Sequence, residues 1–134
     1  MAKITAIEGI GETYGAKLME LGIKTTDQLL ARAADPKGRK ELAEALGVSP
    51  KLVLEWANRA DLFRIKGVGE EYSDLLEVAG VDTVPELAQR NPENLYKKML
   101  EVNEVKKVVR RPPSLKQVQS WVAQAKELPR ILTY

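Results

Sequence analysis

Leu62-Phe63-Arg64-Ile65-Lys66-Gly67-Val68-Gly69 repeats, 58 residues further on, the pattern of Ile4-Thr5-Ala6-Ile7-Glu8-Gly9-Ile10-Gly11. The match continues beyond the glycines: Ser73 and Leu76 come after the later copy at the spacing at which Gly15 and Leu18 come after the earlier one. A repeat of this kind decides architecture before any single element does. Each copy reads as a short helix ending in an apolar residue, a Gly-apolar-Gly turn, and a second helix with a small residue near its start. The glycines permit positive φ and leave no Cβ over the turn. The apolar residue between them plugs into the helix pair. The second helix starts with unpaired N–H groups, a ready place for an anion.

Beyond the turns, Gly22 and Gly80 stand at matching places and end the second helix of each pair. Thr25 with Gln28, and Thr83 with Glu86, make capping-box patterns. Asp35-Pro36, Ser49-Pro50 and Asn91-Pro92 each place a side-chain acceptor before a proline, the signature of a helix start. Ser114 with Gln117 opens the last long helix. That helix carries Val118, Trp121 and Val122 on one face, as the earlier one carries Val53, Trp56 and Ala57. The tryptophans are 65 residues apart rather than 58, so seven residues are inserted between Leu95 and Ser114. A tryptophan on an apolar helix face could stack on bases, but its recurrence in both copies reads as core. Tyr14 and Tyr72 also match, and are expected to pack across the turn's helix with their hydroxyls at the surface.

The Gly-apolar-Gly turns between short helices resemble the helix-hairpin-helix family. Leu46-Gly47-Val48-Ser49-Pro50 reads as a worn second hairpin in the first half. The succession E-G-I-G, a tryptophan helix and R-I-K-G-V-G-E-E-Y also resembles the DUF4332 family, a domain of unknown function, over nearly the whole chain. The fold expected is all-α: two tandem (helix-hairpin-helix)2-like repeats of about five short helices each, packed as one compact body. The first repeat is assigned to residues 1–61 and the second to 62–134, with an expanded basic loop at about 103–113.

The 134 residues contain neither cysteine nor histidine, which excludes disulfides, thiolate nucleophiles, imidazole bases and most transition-metal sites. No cofactor, metal or small-molecule substrate is expected. No apolar run approaches the ~20 residues of a membrane span, and the start M-A-K-I-T lacks the apolar core of a signal peptide, so the expected place is the cytoplasm. The net charge of +2 is unevenly distributed: residues 96–116 carry seven basic side chains and two acidic ones, a local +5. Such a segment suits a nucleic-acid partner, or it is a solvated helix face and a solubilising loop.

The helix-hairpin-helix resemblance implies that turn amides contact phosphate oxygens of a duplex without reading its sequence. In that family a lysine commonly sits two residues past the second glycine, whereas here those positions are Thr13 and Glu71. Gly9, Ile10 and Gly11, preceded by Glu8, therefore form the weaker candidate, with a structural role. Gly67, Val68 and Gly69 have Arg64 and Lys66 beside them. The expanded loop adds Lys106, Lys107, Arg110 and Arg111 next to the stiff Pro112-Pro113 pair. By the symmetry of the repeat it would lie near the second turn. The alternative for the loop is that Val105, Val108 and Val109 pin it to the core or form a protein-binding edge. Glu70, Glu71 and Asp74 read as a charged helix face. A lysine-based lyase at Lys66, as in some helix-hairpin-helix repair proteins, is the remaining enzymatic option, and the sequence shows no desolvated lysine pocket. The expected function is a non-enzymatic module binding the backbone of nucleic acid, with a protein-interaction or scaffold domain as the alternative.

Overall fold

The computed structural model describes residues 2–134; Met1, the first residue of the 1–61 repeat, lies outside them. Among the described residues a single 3-10 turn at Ile4–Ala6 precedes eight α-helices: α1 (Glu12–Glu20), α2 (Thr26–Arg32), α3 (Pro36–Leu46), α4 (Pro50–Leu62), α5 (Glu70–Val78), α6 (Val84–Ala88), α7 (Pro92–Lys106) and α8 (Leu115–Glu127). Among these residues Lys3 and Thr25 pair only as an isolated bridge and no strand forms. The all-α expectation holds. The chain divides into two compact units, residues 2–63 with 130–134, and residues 64–129.

The capping residues read from the sequence account for most of the helix starts. Thr25 Oγ1 accepts from the Gln28 amide at 3.2 Å, and the Gln28 side chain closes the box onto the Thr25 N–H at 3.3 Å. Ser114 and Gln117 make the same reciprocal pair at 3.1 and 2.8 Å. Asp35, Ser49 and Asn91 accept from Gly38, Leu52 and Asn94 at 2.7, 3.1 and 3.0 Å, each ahead of a proline in the first turn. Each such cap is worth about 1 kcal/mol. Thr83 is the exception: it stands at the N-cap of α6 without a side-chain cap bond, and Pro85 in the first turn supplies the preset φ instead. At the far end of α1, the amides of Gly22 and Ile23 donate to Met19 and Leu18, and at the end of α5 those of Gly80 and Val81 donate to Glu77 and Leu76, the paired bonds of a Schellman motif.

In the first unit α2, α3 and α4 pack together, while α1 lies against α3 and the 3-10 turn. Ile4, Leu18, Leu29, Leu42, Val53 and Trp56 belong to one buried cluster that also takes in Leu132 from the C-terminal segment. Arg39 is buried there. Its Nη1 donates to the carbonyls of Ala33 and Ala34 and its Nη2 to that of Thr133. These three carbonyl acceptors satisfy much of the guanidinium's donor capacity, which lets it sit inside. In the second unit α8 packs on α6 and α7, and α5 on α7, burying Leu75, Leu87, Leu95, Met99, Val118 and Trp121.

Three details differ from the sequence reading. Helix α7 continues to Lys106, because Glu101 to Lys106 contains no helix breaker, so Lys106 lies in the last helical turn and the loop covers residues 107–114 rather than 103–113. The apolar positions expected from the sequence in this helix are Leu95, Met99 and Val102, whereas the core face of α7 runs Leu95, Met99, Asn103, and Val102 is only half-buried. The second unit contains four helices without a counterpart of the 3-10 turn: Leu62 ends α4 and Phe63 caps it, since no glycine or proline interrupts the chain before Gly67.

Candidate functional site

In the second unit the turn is set by Gly67, at φ +96°, and by a bond of 3.1 Å from the Val68 amide to the Ile65 carbonyl. Val68 is buried, as a plug should be. A Cβ on Gly67 would lie 3.0 Å from Trp121 Nε1, so the indole of α8 sits directly under the turn. Gln124, one turn further along α8, clasps the backbone of Lys66, accepting from its N–H at 2.9 Å and donating to its carbonyl at 3.2 Å. Tyr72 packs on Trp121 with ring centres 5.3 Å apart. Gly69 is the N-cap of α5 and has no side chain to cover the first-turn N–H groups, and Glu70 and Glu71 stand in that turn. Lys66 is exposed. Arg64 is drawn the other way, its Nη2 donating to the Pro129 carbonyl at 2.7 Å.

The turn of the first unit has the same frame. Gly9 is at φ +92°, the Ile10 amide bonds Ile7 O at 3.1 Å, and Ile10 is buried. A Cβ on Gly9 would meet Trp56 Nε1 at 3.4 Å, and Tyr14 lies 5.3 Å from Trp56. Gly11 caps α1, again without a side-chain bond. The small residue near the start of α1 also has a reason: Gly15 is buried, and a Cβ on it would meet the Thr5 methyl at 2.9 Å. The polar surroundings differ, for Glu8 faces Arg59 at 4.0 Å.

The basic loop is held at three alternate residues. Asn103 in α7 accepts from the Val109 N–H at 2.9 Å and donates to the Val109 carbonyl at 3.1 Å. The Tyr72 hydroxyl donates to the Arg111 carbonyl at 3.0 Å, and Pro113 is buried. Lys107 turns the chain out of α7 in the left-handed region, at φ 50° and ψ 48°. Lys106, Lys107, Arg110 and Arg111 are all exposed. A cleft of about 630 Å³ is lined by Glu71 of α5, by Asn103 and Glu104 of α7, and by Lys107, Val108, Val109 and Arg110 of the loop. The structure thus brings Lys107 and Arg110 to one cleft, with the start of α5 at its edge. Arg111 is tied to α5 through its backbone, and Arg64 is engaged elsewhere. Of the three valines Val109 is buried and pins the loop, Val108 is half-buried in the cleft lining, and Val105 is 80% exposed.

The family described as domain of unknown function (DUF4332) matches residues 8–128. The chain belongs to the DUF4332 family. No curated protein and no solved structure gives a match. Among the described residues of this DUF4332 chain, no helix is long and apolar enough to cross a membrane. Three site contacts of the DUF4332 fold escaped the sequence reading: the Asn103 clasp, the Gln124 clasp and the Tyr72 hydroxyl. Asn103 had a usable signal, since a polar residue at the third place of the series 95, 99, 103 lies on a core face and must find partners there. Gln124, on the exposed flank of the tryptophan helix, had none.

Proposed function

We propose that this chain is a non-enzymatic binding module for the backbone of duplex nucleic acid, using the second unit's helix-hairpin-helix-like turn and the basic loop beside it. The reading is carried by the bond from Tyr72 to Arg111 O, which ties a loop bearing Lys107, Arg110 and Arg111 to the helix whose first turn has no side-chain cap. Uncovered amides and exposed cationic side chains are the two kinds of group that hold phosphates without reading bases. Lys66 and Lys106 extend the positive surface. A protein-binding surface is the second reading, favoured by Glu71 and Glu104, which face the same cleft as Lys107 and Arg110 and suit a partner of mixed charge.

Salt separates the two. Four phosphate contacts release about four counterions, so log affinity against log salt should have a slope of magnitude about 3 to 5. Fluorescence anisotropy with a labelled duplex measures this on the parent and on two variants. Reversing Lys106, Lys107, Arg110 and Arg111 to glutamate should abolish binding, whereas reversing Lys3, Lys24 and Lys51 should change it little. No binding by the parent at low salt, or equal losses in both variants, leaves the protein-interaction reading in its place.

A further inference from the structure

We infer that Asn103 is the positioning residue of the basic loop: its carboxamide, bonded to both backbone polar groups of Val109, holds Lys107, Arg110 and Arg111 in the arrangement that meets an anionic backbone. Asn103 is 8% exposed and Val109 5%. Buried backbone groups need partners, and residues 107–114 lie in no helix that would supply them. The Asn103 side chain supplies both, one acceptor and one donor, at 2.9 and 3.1 Å. It therefore does for this loop what a neighbouring strand does for a sheet edge.

The clasp also accounts for the backbone of Lys107. A lysine rarely enters the left-handed region, and such a conformation persists where the surroundings over-determine it. Asn103 and Val109, either side of Lys107, are fixed to one another, so the chain must reverse between them. Beyond Val109 the Tyr72 bond to Arg111 O fixes a second backbone point. Arg110 is thus presented from between two anchors, and an ordered loop forfeits less entropy on meeting a ligand than a free one. The effect on binding rests on the nucleic-acid reading above; the effect on the loop does not.

Asn103→Leu keeps the branched shape in a somewhat larger side chain and removes both bonds. Amide hydrogen exchange should show Val109 protection falling about ten-fold or more, the scale set by unpairing a buried polar group, with amides of α8 unchanged. Asn103→Asp keeps the acceptor and loses the donor until its carboxyl is protonated. Its Val109 protection, corrected for intrinsic exchange, should therefore rise as pH falls through that titration, while the parent's stays flat. Labelled-duplex affinity of Asn103→Leu at low salt should drop about ten-fold with the salt slope unchanged, because the same cations still meet phosphates. Val109 protection equal to the parent's in both variants, or lost only together with that of α8, overturns the role in the loop. A lower slope in Asn103→Leu overturns positioning in favour of lost contacts. Failure of the parent to bind removes the proposed function and the ligand of this loop together, and Val109 protection still decides whether Asn103 sets the loop.

Discussion

The two glycine turns share a skeleton and differ in what surrounds it. Gly9 and Gly67 have φ values of +92° and +96°, each above an indole nitrogen, and each indole carries a tyrosine 5.3 Å away. Around this stack the charges differ. Glu8 faces Arg59 in the first unit, whereas the matching positions of the second hold Lys66 and Gln124, whose contact runs through the Lys66 backbone. The apolar stack and the positive φ make the turn; the polar residues beside it are interchangeable as far as the fold is concerned. They set the electrostatic character of the adjacent helix start.

The sharpest way to break the comparison is to give the glycines side chains. Gly67→Ala should destabilise by about 2 kcal/mol, combining left-handed strain with the approach to Trp121. Gly9→Ala should cost slightly less, because its Cβ has 3.4 Å rather than 3.0 Å to the indole. Gly69→Ala, at an extended φ with open space around its Cβ, should cost only about 0.5 kcal/mol. Urea unfolding measures all three, and equal losses at Gly67 and Gly69 would show that the turn does not work as described.

A smaller effect is expected where α3 and α7 end. Both leave the helix through a left-handed residue, Gly47 at φ 71° and Lys107 at φ 50°. Lys107→Gly should stabilise by about 0.5 to 1 kcal/mol, and Gly47→Lys should destabilise by a similar amount. Thermal melts on the pair check whether the second unit carries strain that the first avoids.

The smallest stability change should come from exchanging charges. Glu8→Lys with Arg59→Gln gives the first turn the polar residues of the second. The ion pair lost joins an exposed Glu8 to an Arg59 side chain that is only 14% exposed, and the loss of that pair should by itself move stability by about 0.5 kcal/mol. If the nucleic-acid reading holds, the salt slope of duplex binding should rise by about 1. An unchanged slope would mean that the charge beside the turn does not decide what it meets.

Most helix starts were legible because they are local. Asp35, Ser49, Asn91 and Ser114 announce themselves through a proline or a glutamine no more than three positions ahead, and the matched tryptophans announced a shared core position. Thr83 looked the same on paper but has no side-chain cap bond, since its pattern says nothing of the proline's preset φ or of its own burial. The basic loop was legible in composition and not in geometry. Its shape depends on Asn103 reaching six residues ahead and on Tyr72 reaching 39, and neither separation leaves a periodic trace. The return of residues 130–134 to the first unit was equally silent, because Ile131 and Leu132 read as the continuation of the second.

That return bears on the order in which the protein comes into being. Arg39 emerges from the ribosome early, and one of its three carbonyl acceptors, Thr133 O, emerges 94 residues later. Until then the first unit lacks Leu132 in its core and the Thr133 acceptor for Nη2. During synthesis, therefore, the half that is begun first cannot complete its core until residues 130–134 have been made.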